Sequence, residues 1–166
     1  VDFQETNDAK NSYATYRLGK LYERGQGVPR DIAEAIRLYT LSAKEGNDFA
    51  AYRLGKLYLG SDGVLKDVES ALHWFSFAAE RNNPFAEYAL GILYLKGEVV
   101  PEDIPKSLEH LKHSANQGNQ YAQYRLGKLY LTGEVVPRDA MKALEYFTAA
   151  AEQGNQYAQY TLGKLH

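Results

Sequence analysis

One pattern, Ala-x-Tyr-x-Leu-Gly-x-Leu-Tyr, returns along this chain with few departures at a fixed spacing of 36 residues. Gly19, Gly55, Gly91, Gly127 and Gly163 hold the same place in five successive copies. A period of 20 to 50 residues restricts a chain to repeat architectures, in which one supersecondary unit buries its apolar face on its neighbours. Such a period defines a class of function, a binding scaffold, and leaves the partner undefined.

The stretch from Asp48 to Asn83 serves as the type unit. Ala50, Leu54 and Leu57 fall at i, i+4 and i+7, the stripe of an amphipathic helix, here termed helix A. Gly55 lies inside that helix at a cost of roughly 1 kcal/mol against alanine. A glycine recurring there implies that another helix approaches closely. Turns rich in Gly, Pro and charge follow at Gly25 to Arg30, Gly60 to Lys66, Gly97 to Pro101 and Gly133 to Arg138. Asp31, Asp67, Asp103 and Asp139 come next and are placed to cap a second helix, helix B.

Helix B carries a small, large, small pattern at i, i+4 and i+8. The sets are Ala35, Tyr39, Ala43; Ala71, Phe75, Ala79; Ser107, Leu111, Ala115; and Ala143, Phe147, Ala151. Three units close on Gly46-Asn47, Gly118-Asn119 and Gly154-Asn155, and the other on Asn82-Asn83, the signature of a left-handed helix end. In the turns, Ser61 stands where the others have glycine, while Val99 and Val135 replace Gly27 and Gly63. Those last two turns are expected to be stiffer or differently shaped.

The 166 residues therefore divide into a lead-in at 1–11, four two-helix units at 12–47, 48–83, 84–119 and 120–155, and a half unit at 156–166. The lead-in lacks the repeat and reads as irregular or as the end of a preceding helix. Val1 at the start and an end inside the fifth copy have the look of an excised fragment. A hydrophobic content of 45% with 24% charge is ordinary for a soluble fold, and no apolar run approaches the ~20 residues of a membrane span. Membrane insertion is not expected. Cysteine is absent, so no disulfide framework exists and no redox compartment is indicated. Localisation stays open, with the cytoplasm favoured.

Leu-Gly-x-Leu-Tyr, the turn Gly-x-Gly-Val-x-x-Asp at Gly25 to Asp31, Ala-x-x-x-Tyr at Ala35 to Tyr39 and the closing Ala-x-x-Gly-Asn at Ala43 to Asn47 together resemble the Sel1-like repeat, a relative of the tetratricopeptide repeat. The resemblance runs from about Ser12 to the end of the chain. It implies an all-α fold, a right-handed α-solenoid of antiparallel helix pairs, acting as a bacterial protein-interaction scaffold or adaptor. The cysteine-stapled secreted members of that family are not matched. Tyrosine-rich repeats of this wording also resemble the C-terminal tails of conjugative relaxases, although no nuclease segment accompanies them here.

In a repeat array a ligand meets the same positions of every unit. Arg17 and Lys20, Arg53 and Lys56, and Arg125 and Lys128 are i, i+3 pairs on helix A, and Lys164 continues the row. Tyr13, Phe49, Phe85, Tyr121 and Tyr157 flank them. The third unit interrupts the basic row with the apolar Ala89 and Ile92. The resemblance puts helix A on the concave face, where an acidic or carboxylate-ended peptide would bind these eight residues. The bland alternative is that Arg and Lys are simply good helix formers on a solvated face.

Nucleic acid is a poor fit to a net charge of −2 and a pI near 6.1. His110 and His113, at i, i+3 on helix B, lack an evident third ligand, so no metal site is expected. No phosphate loop, anchored Ser-His-Asp set or cysteine nucleophile points to catalysis, and neither an enzyme nor a cofactor is expected. Solenoid ends need polar caps, yet Gln156 to His166 nearly repeats the interior Gln120 to Tyr130. End-to-end self-association, or a spacer or oligomerisation arm of a larger protein, is the alternative role.

Overall fold

The computed structural model describes residues 3–165, with side chains from Asn11 to Leu165. Among these residues all regular structure is helical: α1 Phe3–Arg24, α2 Ile32–Lys44, α3 Asp48–Tyr58, α4 Val68–Glu80, α5 Pro84–Lys96, α6 Ile104–Asn116, α7 Gln120–Thr132, α8 Ala140–Glu152 and α9 Gln156–Leu165. Odd-numbered helices are helix A of successive repeats and even-numbered ones helix B. The lead-in is helical from Phe3 and continuous with α1, because no Gly or Pro interrupts the chain before Gly19. Val1, Asp2 and His166 lie outside the described residues. No described helix is long and apolar enough to cross a membrane.

The chain forms two compact units, Val1–Ala86 and Glu87–His166, divided within α5. In each, the knob of helix B enters the glycine notch of its own helix A. Tyr39 and Phe75 in the first unit, and Leu111 and Phe147 in the second, are completely buried. A Cβ placed on Gly19 or Gly55 would lie 2.8 Å from the Tyr39 ring or 2.5 Å from the Phe75 ring. On Gly91 or Gly127 it would lie 2.7 Å from Leu111 or Phe147. Each notch thus seats the residue twenty positions further on, and burying such a side chain contributes about 1.5–3 kcal/mol. Ser107, at a small position of the third pattern, donates to the Gly91 carbonyl at 2.6 Å and so covers its own buried hydroxyl.

The aspartates cap as their spacing implies. Asp31, Asp67, Asp103 and Asp139 accept from the backbone N–H of Glu34, Ser70, Lys106 and Lys142 at 3.0–3.1 Å. At the other end of helix B, Gly46, Asn82, Gly118 and Gly154 all have positive φ. The asparagine after each has a second task that the pattern did not disclose. Asn47, Asn83, Asn119 and Asn155 accept from the N–H of Ala50, Ala86, Ala122 and Ala158 at 2.9 Å, starting the next helix A. One dipeptide therefore ends one helix and begins another, which keeps the link between repeats short.

The long turns do differ in shape. The third and fourth need a single left-handed residue, Gly97 or Gly133, whereas the second has positive φ at Gly60, Asp62 and Gly63. With Ser61 at the glycine register, α3 stops at Tyr58, and the bend is redistributed over its neighbours. Val100 of the third turn is buried, so that turn adds to the core.

Candidate functional site

Helix A presents an aromatic and cationic face in each unit. One register of helix A, the second residue of α3, α5, α7 and α9 and the middle of the longer α1, holds an exposed aromatic: Tyr13, Phe49 and Phe85 in the first unit, Tyr121 and Tyr157 in the second. Each aromatic after the first packs on a tyrosine of the preceding helix A. The ring centroids are 5.9 Å apart for Tyr16 and Phe49 and 5.7 Å for Tyr52 and Phe85. In the second unit Tyr88 and Tyr121 are 6.2 Å apart, and Tyr124 and Tyr157 5.9 Å. Most tyrosines are framework, as their positions imply, yet this row keeps its outer side open to solvent.

Lysines lie over the inner rings. Lys20 is 5.6 Å from the Tyr16 centroid, Lys56 5.8 Å from Tyr52 and Lys128 5.8 Å from Tyr124. Arg17 donates to the Tyr13 hydroxyl at 3.1 Å and stays exposed. Partial burial, and then repulsion from Arg24, Arg17 and Arg53, hold the Lys20 ammonium below its ordinary pKa. The first unit therefore concentrates positive charge beside its aromatic row. In the second, Arg125 is half-buried and Lys128 exposed, while Ala89 and Ile92 are half-buried, Ile92 against the apolar core.

Arg53, expected in the basic row, is engaged within the fold. Its guanidinium bonds both carboxylate oxygens of Glu23, a residue only 7% exposed, and Glu23 also accepts from the Tyr39 hydroxyl at 2.5 Å. Burial disfavours the Arg53 charge, but Glu23 overcomes this and raises its pKa. Burial, then the bond to Glu23, likewise push the Tyr39 phenol far above its ordinary value. Arg53 thus ties α3 to α1 and α2. The sequence carried a signal for this network: Glu23 takes a register held elsewhere by Leu59, Leu95 and Leu131, and the knob has a hydroxyl only in that repeat.

His110 and His113 meet a partner that the sequence reading missed. Buried Glu87 lies 2.6 Å from His110 Nδ1 and 3.7 Å from His113 Nδ1, and the His110 ring stacks on Tyr94. His110 is largely covered and His113 mostly exposed. Glu87 shares its register with Thr15, Ala51, Gln123 and Gln159. Its replacement of a neutral side chain was the available clue. Among the described residues no group of three or more His, Cys, Asp or Glu could hold a metal ion. Trp74 packs edge-on to His73 and Phe77.

In the second unit the aromatic row borders an open pocket of about 330 Å³, lined by Gln120, Tyr121, Gly154, Asn155, Gln156 and Tyr157. Tyr121 and Tyr157 are 53% and 69% exposed, so both rings have a face available to a ligand.

Notch, knob and paired caps recurring every 36 residues define an α-helical repeat protein of the solenoid class. The Sel1 repeat family model matches residues 12–47, 48–83, 84–119 and 120–155, and the chain belongs to that family. A solved Sel1 repeat protein from Oxalobacter formigenes is 33% identical, with a TM-score of 0.86 over 92% of this chain and 62% of its own. The protective antigen c5321 of uropathogenic Escherichia coli is 34% identical, with a TM-score of 0.83 over 93% of this chain and 33% of its own. Helicobacter pylori cysteine rich protein B shares the fold at 23% identity and a TM-score of 0.63, over 82% of this chain and 98% of its own. The chain thus spans one third of the antigen and under two thirds of the Oxalobacter protein. No curated protein sequence matches it. Sel1-repeat proteins are generally non-catalytic scaffolds for protein–protein interaction.

Proposed function

We propose that the chain is a non-catalytic adaptor whose helix A face binds an acidic segment of another protein. The observation that carries this reading is the cluster of Arg17, Lys20 and Lys56 beside the exposed aromatics of helix A, where burial first, and then repulsion from Arg24, Arg17 and Arg53, lowers the Lys20 pKa. An anionic partner would relieve that repulsion and form charge-assisted hydrogen bonds. Exposed aromatics beside the cations supply the apolar contact area that fixes a peptide. Arg17, Lys20, Lys56, Arg125 and Lys128 are the contact set, with Ala89 and Ile92 as an apolar contact and Arg53 as their internal support.

The test is capture from lysate of the source cell by the unmodified chain and by Arg17→Glu/Arg125→Glu, with nuclease treatment and mass spectrometry. Arg53 is left intact because its charge holds α3 in place. A nuclease-resistant protein with an acidic segment, retained only by the unmodified chain, supports the reading. Identical bound material from both chains removes it. Loss of captured material after nuclease treatment, with a steep salt dependence, would instead indicate nucleic acid.

A second reading is favoured at α9, where Tyr160 is 64% and Leu165 49% exposed and nothing lies within 4 Å of a Cβ at Gly163. That face supports self-association through the ends, which would show as a concentration-dependent mass in sedimentation and vanish in Tyr160→Lys.

A further inference from the structure

We infer that the pocket between Tyr121 and Tyr157 is a proline-binding subsite, so that the bound segment is an extended polyproline-type stretch carrying acidic residues. This deepens the adaptor reading and rests on it. At about 330 Å³ the pocket is at the small end of ligand sites, which span roughly 300–1,000 Å³, and suits one or two side chains of a peptide.

Its lining is uncharged. Tyr121 and Tyr157 supply ring faces, and Gln120 and Gln156 supply amides at the starts of α7 and α9. The first unit differs at the same register, with Ser12-Tyr13, Asp48-Phe49 and Pro84-Phe85, and the second unit alone pairs a glutamine amide with each tyrosine. Aromatic grooves with such donors recognise polyproline II segments, whose rings stack and whose carbonyls stay available as acceptors. Proline also arrives with little conformational entropy to lose and no N–H to satisfy.

Tyr157 rests on Tyr124, with ring centroids 5.9 Å apart, and keeps its other side open to the pocket. A polyproline II helix has three residues per turn, so its prolines recur along one face and leave every third position free for an acidic residue. Arg125, one helical turn beyond Tyr121, and Lys128 supply the positive charge that selects Asp or Glu at the intervening positions.

Three fluorescent peptides of equal length test this by anisotropy: a (Glu-Pro-Pro) repeat, a (Gln-Pro-Pro) repeat and a (Glu-Ser-Gly) repeat. The expected result is that the first binds at least about tenfold more tightly than either of the others. Tyr121→Ala or Tyr157→Ala should each weaken it by about tenfold or more, as truncation of an aromatic anchor does. Tyr157→Phe should retain binding, and circular dichroism should show that each variant keeps its helices. Equal binding of the two glutamate peptides overturns the proline subsite and leaves the acidic reading standing. Equal binding of the two proline peptides overturns the acidic reading and leaves the subsite. Binding of none of them overturns both.

Discussion

The carboxylate of Glu23 accepts from the Tyr39 hydroxyl and from the Arg53 guanidinium, joining three successive helices through one buried charge. Tyr39 is the only knob with a hydroxyl, and Glu23 the only acid at its register; the other repeats pair Leu59 with Phe75, Leu95 with Leu111 and Leu131 with Phe147. Glutamate and hydroxyl thus form a matched set. Glu23→Leu alone should destabilise the chain by about 1–3 kcal/mol, less than the 3–5 kcal/mol of a fully buried pair because Arg53 reaches solvent. Adding Tyr39→Phe should recover part of that loss, since the buried hydroxyl no longer lacks an acceptor. Thermal melts of the single and double variants would show it, and strictly additive losses would refute the pairing.

Gly127 and Gly163 occupy the same register but different surroundings. A methyl at Gly127 would lie 2.7 Å from Phe147, whereas one at Gly163 meets nothing within 4 Å. Gly127→Ala should cost about 1–3 kcal/mol through overpacking. Gly163→Ala should be neutral or stabilising by up to about 1 kcal/mol, because only helix propensity changes. Denaturant titration of the pair checks this, and equal effects would discard the notch as the reason for the glycine.

Ser70, through its hydroxyl at 2.6 Å and its backbone N–H, holds the Asp67 carboxyl below its ordinary pKa. A lowered folded-state value means that the unfolded chain binds the proton more readily. The cap therefore contributes fully above the ordinary carboxylate value near pH 4, and its contribution disappears as pH falls through the lowered value. Asp67→Asn should melt lower than the unmodified chain at pH 6, with the difference narrowing toward pH 2. A constant difference across that range would exclude the charged cap.

Fold class, the 36-residue period and the aspartate caps were legible because each depends on local spacing, repeated four times. The glycine notch was legible for the same reason, although its occupant was not identified. The Glu23 bond of Arg53 was not legible, because i, i+3 placement with Lys56 marks a shared face but does not show what lies across from it. Its partner is thirty residues away and visible only when registers are compared. Glu87 was illegible for a similar reason: the spacing of His110 and His113 along one helix says nothing of a carboxylate on another. Both misses concern single substitutions in an otherwise regular pattern, where the chain departs from its own average.

The offset of twenty between notch and knob has a consequence for how such a gene can change. Both halves of the lock lie inside one repeat, so a duplicated or deleted segment of 36 residues carries a complete lock with it. Unequal recombination in whole multiples of that length should therefore yield viable offspring, while any other length separates lock from key. Copy number becomes a heritable trait that selection can tune, lengthening or shortening the array without inventing a new core.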